Sequence, residues 1–167
     1  MMVKMSDGIG KIVEGYNSVI SALENNRVLE IIALEKNLDS KKVKDLIKIA
    51  QQKKVEVKNI KSKNEWEFTS TEYVAAICVP KTIYSESDLK KFDETNFIVC
   101  DHIQDTNNLG AIARSAASFD FNVMCVPERR SARLSERTFK ISSGGLEKID
   151  ILEYKSCLLY TSPSPRD

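Results

Sequence analysis

Two asparagines, a lone glycine and one arginine stand within eight residues of one another in the stretch DTNNLGAIARSAASF, Asp105 to Phe119. In helical register Leu109, Ile112, Ala113, Ala116 and Ala117 form an apolar stripe. Asn107, Gly110 and Arg114 share a neighbouring face, and helical side chains lean toward the N-terminus. Arg114 is therefore expected to reach over the bare backbone of Gly110, toward the loop that precedes the helix. That loop follows the strand-like NFIVCD, and the junction between a parallel strand's carboxyl end and a helix's amino end favours an anion. A guanidinium adds a bidentate fork for phosphate, so the constellation suits a nucleotide phosphate or ribose. A plainer alternative fits the same spacing: an Asn108 cap followed by a solvent-exposed arginine. Gly110 stands alone, which disfavours a dinucleotide site built on the repeated-glycine fingerprint.

The elements that must position these residues can be read around them. NFIVCD, the helix NLGAIARSAASF and NVMCV make a βαβ unit, hence adjacent parallel strands with a right-handed crossover. RTFKISSGG predicts a helical turn or two ending at glycines, and KIDILEY a third strand. Some sixty residues supply too few elements to cover such a sheet on both faces. Upstream, GYNSVISALENN is helical, with Val19, Ala22 and Leu23 at i, i+3 and i+4. VLEIIALE predicts a buried strand, Asp39-Ser40 a cap on the helix SKKVKDLIKIAQQKK, VEVKNI a strand and YVAAICV another before Pro80. The expected organisation is a small α/β module over residues 11–79, an acidic linker over 80–94 with room for a short helix at SDLKKF, and a second, parallel-sheet α/β unit over 95–156.

Composition is that of a soluble globular protein, without a signal peptide or an apolar run long enough to span a membrane, and the cytoplasm is the expected location. Cys78, Cys100, Cys125 and Cys157 are widely spaced and His102 is the sole histidine, so neither a zinc site nor a disulfide framework is indicated. Formal net charge is only +1, but it conceals a gradient. Residues 1–64 are lysine-rich, 65–94 are acidic, and Arg129, Arg130, Arg133, Arg137 and Lys140 form a second basic cluster. Such clusters serve either as solvated faces or as RNA contacts. His102 is expected to be a loop residue, and Trp66 and Phe68 to pack the first module rather than stack on a base.

The motif D-x-x-N-L-G-A-I-x-R, carried by Asp105, Asn108, Leu109, Gly110, Ala111, Ile112 and Arg114, resembles the first motif of the SpoU, or TrmH-like, RNA ribose 2′-O-methyltransferases of the SPOUT superfamily. Arg130-Ser131-Ala132, and Ser142 with Gly144, resemble that family's R-S-A and S-x-G-A segments, and GYNSVISAL resembles the start of its ribosomal-protein-like substrate-binding domain. The likeness spans about residues 11–156 and is greatest to the subgroup that methylates a guanosine of large-subunit ribosomal RNA. It implies S-adenosylmethionine as methyl donor, RNA as substrate, a homodimer and a C-terminal trefoil knot. It also implies catalytic roles for Arg114 and Asn108, and RNA contacts from Gly110, Arg130 and Arg133. Since arginine stays protonated in proteins, positioning of phosphate and ribose is the role its chemistry supports. Thr106 and Asp120 stand where the family usually has proline and glycine. Residues 157–167, CLLYTSPSPRD, resemble a translated sequencing adapter. On that reading the knot and the cofactor pocket lie beyond Ser156, and the chain as given is a fragment expected to bind the cofactor weakly and to be inactive.

Overall fold

The computed structural model describes residues 8–93, 95–129 and 131–155. Arg130, Cys157 and the adapter-like segment lie outside the described residues.

The first module is a four-stranded sheet in the order β1-β4-β2-β3, with β1 Ile12–Glu14, β2 Val28–Leu34, β3 Glu56–Ile60 and β4 Val74–Cys78. Its helices are α1, Tyr16–Glu24, and α2, Lys41–Gln52. The Ser40 hydroxyl accepts from the Val43 N–H at 3.2 Å, so the cap lies where the sequence places it. Val43, Leu46 and Ala50 point from α2 into a core shared with Ile31, Ala33, Val74 and Ala76. β2 and β3 are parallel and the other pairs antiparallel. The three-residue β1, which pairs with β4, has no counterpart in the sequence reading. Trp66 meets Phe68 and Tyr73 edge-on at 4.9 and 5.6 Å and donates its indole N–H to the Ser70 carbonyl, the packing role expected of it.

The second sheet is wholly parallel, in the order β5-β8-β7-β6: β5 Ile83–Ser85, β6 Phe97–Val99, β7 Val123–Pro127 and β8 Asp150–Tyr154. α3, Thr106–Ser118, makes the crossover from β6 to β7, and α4, Glu136–Ser142, with α5, Gly145–Lys148, the crossover from β7 to β8. Ser143 and Gly144 take left-handed conformations, φ 47° and 91°, and separate the last two helices. Asp120 also adopts φ 57° at the end of α3, where a glycine would carry no side-chain penalty.

The expected linker is corrected here. β5, inside 80–94, pairs in parallel with β8 and so belongs to the second sheet. The 3-10 turns that follow, Glu86–Phe92, run beneath that sheet, where Tyr84, Phe92 and Phe97 pack on Val123, Cys125, Leu152 and Tyr154. The segment read as a connector thus covers part of the face that seemed to lack a cover, and Val99, on the same side of β6 as Phe97, stays exposed.

The two modules share one continuous core. At their seam Arg27 clamps the buried carboxylate of Glu147 with Nε and Nη2 at 2.8 and 2.9 Å. The same guanidinium donates to the carbonyls of Val79 and Gly10 and lies 5.6 Å from the Phe139 ring centre. Lys81 donates to the carbonyls of Leu146, Glu147 and Ile149, at 2.8, 3.1 and 2.6 Å, and so caps the carboxyl end of α5. Burial lowers the Lys81 ammonium pKa below its ordinary value. Among the described residues no buried side-chain nitrogen or oxygen lacks a partner.

Candidate RNA-binding and methyl-transfer site

The loop from Cys100 to Asp105 leaves the carboxyl end of β6 and delivers the chain to α3. Two bonds to one carbonyl hold it: the Ser131 hydroxyl and the Ala132 N–H donate to Ile103 O at 2.9 and 2.7 Å. The Ser131-Ala132 pair thus ties the loop after β7 to the loop before α3. The helix cap is Asp105, whose carboxylate accepts from the Asn107 N–H at 2.8 Å. Asn108 is therefore not the cap that the plainer reading made it, and it stands exposed in the first turn. His102 is an exposed loop residue, φ 53°, with Nδ1 2.8 Å from the Asp101 carboxylate.

Leu109, Ala113 and Ala116 are buried, as the apolar stripe requires, but the neighbouring face differs from the expected open shelf. A Cβ on Gly110 would stand 2.8 Å from Ile141 Cβ and 3.0 Å from the Thr138 carbonyl. A Cβ on Gly145 would stand 2.7 Å from Arg114 Cα. The two glycines thus let α4 and α5 press onto α3, and the space over Gly110 is filled by Ile141 rather than left for a guanidinium or a ligand. Gly110 has a packing role here, and the picture of Arg114 reaching across a gap is corrected. The Arg114 residue is exposed, and its guanidinium makes no hydrogen bond or ion pair with any described residue. Arg133 is likewise exposed, and Arg130 lies outside the described residues. Asn108 and Arg114 are six residues apart, about 120° around the helix, so they project from different sides of it rather than touch each other.

Sequence reasoning did not place Arg137 and Lys140 beside this helix. Arg137 Nη2 donates to Asn107 Oδ1 at 3.2 Å, and Lys140 donates to Thr69 Oγ1 at 3.0 Å with its ammonium 3.7 Å from Glu14. These residues and Ile141 line a cavity of about 520 Å³ between the modules, next to the start of α3. The available signal was their i, i+3 spacing on α4, but a partner in the other module is invisible to periodicity.

A second cavity, of about 390 Å³, opens at the carboxyl ends of β5 and β8, with Glu86, Glu128, Glu153 and Lys155 in its wall. Burial, with Glu128 adding, raises the Glu153 pKa above its ordinary value, against a smaller lowering by Arg133. A carboxyl with a raised folded pKa stabilises the fold at low pH and loses that contribution as pH rises past its ordinary value. Glu153→Gln should accordingly raise the Tm at pH 8, with the gain shrinking toward pH 4. Calorimetry at the two pH values checks this, and a variant less stable than the parent at pH 8 would contradict it.

The fold defines a two-module α/β class: a mixed-sheet α/β domain joined to a parallel-sheet domain whose first crossover helix begins at the sheet's carboxyl edge. Two family models match in succession, "RNA 2'-O ribose methyltransferase substrate binding" over residues 12–70 and "SpoU rRNA Methylase family" over residues 95–162. The chain belongs to the SpoU/TrmH family. It is 28% identical over 148 residues to the 23S rRNA (guanosine-2'-O-)-methyltransferase RlmB of Acinetobacter baylyi, a match that covers 83% of this chain and 59% of that protein. It is 25% identical over 146 residues to the putative TrmH family tRNA/rRNA methyltransferase YacO of Bacillus subtilis, with 83% and 59% covered. The crystal structure of the SpoU methyltransferase AviRb from Streptomyces viridochromogenes, in complex with AdoMet, superposes with a TM-score of 0.65 at 18% identity, covering 89% of this chain and 55% of that one. The chain spans about three-fifths of the length of the curated relatives it matches.

Proposed function

We propose that the full-length protein transfers a methyl group from S-adenosylmethionine to a ribose 2′-hydroxyl of RNA, a guanosine of large-subunit ribosomal RNA, and works as a cytoplasmic homodimer. The observation that carries this reading is the position of the Asn108–Arg114 turns. They rise from the carboxyl edge of a parallel βαβ sheet, exposed, with an uncommitted guanidinium, on a helix held rigid by the buried Gly110 and Gly145 contacts. Arg114 and Asn108 then position phosphate and ribose, and Arg133, with Arg130, extends the contact to neighbouring nucleotides.

The described residues do not themselves make a pocket for the cofactor. The glycines of the second sheet's helices, Gly110, Gly144 and Gly145, all face other helices, and among the described residues the loops at the sheet's carboxyl edge hold no glycine that would offer bare backbone to an adenosine. Asn108, Arg114 and Arg133 would hold and orient the RNA, and the methyl donor, when bound, would supply the transferable methyl group.

The test is an assay of the full-length protein with radiolabelled S-adenosylmethionine and large-subunit ribosomal RNA. Label should enter the RNA and make one phosphodiester resistant to alkali, because a methylated 2′-oxygen cannot attack the adjacent phosphate. Label on a base, with every linkage still alkali-labile, would refute ribose methylation. RNA binding with no transfer would favour a non-catalytic RNA-binding module.

A further inference from the structure

We propose that Arg137 is a further substrate-positioning residue: its guanidinium steadies the first turn of α3 through Asn107 and holds the RNA phosphate beside the ribose at Asn108, a claim that rests on the function proposed above. In the sequence Arg137 is one member of a basic cluster. The structure sets it apart. Arg137 Nη2 donates to Asn107 Oδ1 at 3.2 Å, and the same amide donates through Nδ2 to Asp105 Oδ1 at 2.9 Å. That carboxylate oxygen also accepts the Asn107 N–H at 2.8 Å, so a chain of hydrogen bonds runs from α4 to the cap of α3. Asn108 is the next residue of that turn and takes its position from it.

Holding two helices together does not account for this arginine. α3 and α4 are already pressed together where Gly110 meets Ile141, and a 3.2 Å bond from an exposed side chain adds little to that contact. The balance of charge points to a ligand instead. In the wall of the 520 Å³ cavity Lys140 is matched by Glu14 at 3.7 Å, and both bond to the Thr69 hydroxyl. Arg137 has no ion pair among the described residues: Glu136 adjoins it in sequence, but successive helical side chains point apart. A planar fork with one nitrogen on an amide oxygen and its other donors open suits the paired oxygens of a phosphate. The cavity has the volume of a small-molecule site, about 300–1,000 Å³, so a single nucleotide unit enters it and a duplex does not. Arg114 lies on the same side of α3 as Asn107, about 10 Å further along the axis, so two guanidinium groups bracket the turns from which Asn108 projects. An RNA strand on that line meets a cation at each end, and the ribose between them is held from both.

The test uses the full-length protein, large-subunit ribosomal RNA and single-turnover methyl transfer, with RNA affinity measured over a salt series. Arg137→Ala should slow transfer at saturating RNA by about 30-fold. Its RNA affinity should fall by no more than about tenfold, with the log–log salt slope flattened by about 1. Arg137→Lys keeps the charge and should restore affinity and slope, yet leave transfer about tenfold slow, because an ammonium does not span amide and phosphate in one plane. Asn107→Ala should add nothing to Arg137→Ala in the double variant, since the two side chains act as a unit. Calorimetry should leave the Tm of each variant close to that of the parent. An Arg137→Ala rate within about threefold of the parent, or full rescue of the rate by lysine, would overturn the role. A fall in Tm that accounts for the lost activity would also overturn it and make Arg137 a structural residue, and additive losses would break the link through Asn107. No transfer by the unsubstituted protein would overturn the methyl-transfer reading and this role with it.

Discussion

Arg27→Ala is expected to destabilise the chain by about 3–5 kcal/mol, because it strands a carboxylate inside the protein. The Glu147 side chain has 0% exposure and its two oxygens take the two guanidinium bonds, at 2.8 and 2.9 Å. Removing the arginine leaves both carboxylate oxygens without their hydrogen-bond donors, with the Lys81 ammonium as a remaining nearby cation, and also frees the carbonyls of Gly10 and Val79. Against the 5–15 kcal/mol that typically separates a folded domain from its unfolded chain, the loss is large, and the Tm should fall by about 10 °C or more. The complementary change separates a charge effect from a packing effect. In Arg27→Met with Glu147→Leu no charge is left buried, and much of the stability should return. Differential scanning calorimetry of the three proteins decides the matter: a loss below about 1 kcal/mol for Arg27→Ala would mean that water reaches Glu147 and that the seam is open.

That seam was not legible in the sequence, and the reason is distance along the chain. Arg27 and Glu147 are 120 residues apart, each in a stretch whose periodicity speaks only of its own helix or strand. Local signals did carry far. Ser40 caps α2, the strand–helix–strand run from Phe97 to Pro127 forms parallel pairs, and the buried face of α3 follows its apolar stripe. β5 escaped notice because TIYSES is short and polar and gains its strand character from β8, some seventy residues later. The expectation at Gly110 failed for a related reason. A glycine on a helix face marks a close approach, but the sequence does not say whether ligand or protein makes it, and here Ile141 does. The motif's residues were legible as a set, whereas their division into packing and exposed members required the neighbouring helices.

That division makes Arg114→Ala an informative experiment. The Arg114 guanidinium is exposed and has no partner among the described residues, so its removal should alter folding stability by no more than about 0.5 kcal/mol. A change in function then cannot be blamed on a damaged fold. On the function proposed above, the substitution removes from the full-length protein a charge-assisted contact to the RNA backbone where the 2′-oxygen must be held in line with the methyl group, and misplacement there is costly. Methyl transfer to RNA should fall by about 100-fold or more, with the affinity for S-adenosylmethionine unchanged within about twofold. Arg114→Lys keeps the charge but not the planar fork, and should recover only a small part of the rate. Single-turnover transfer rates alongside cofactor titrations provide the check. Activity within a few-fold of the parent, in a variant with unaltered Tm, would remove Arg114 from the site and return it to the status of an ordinary solvated arginine on α3.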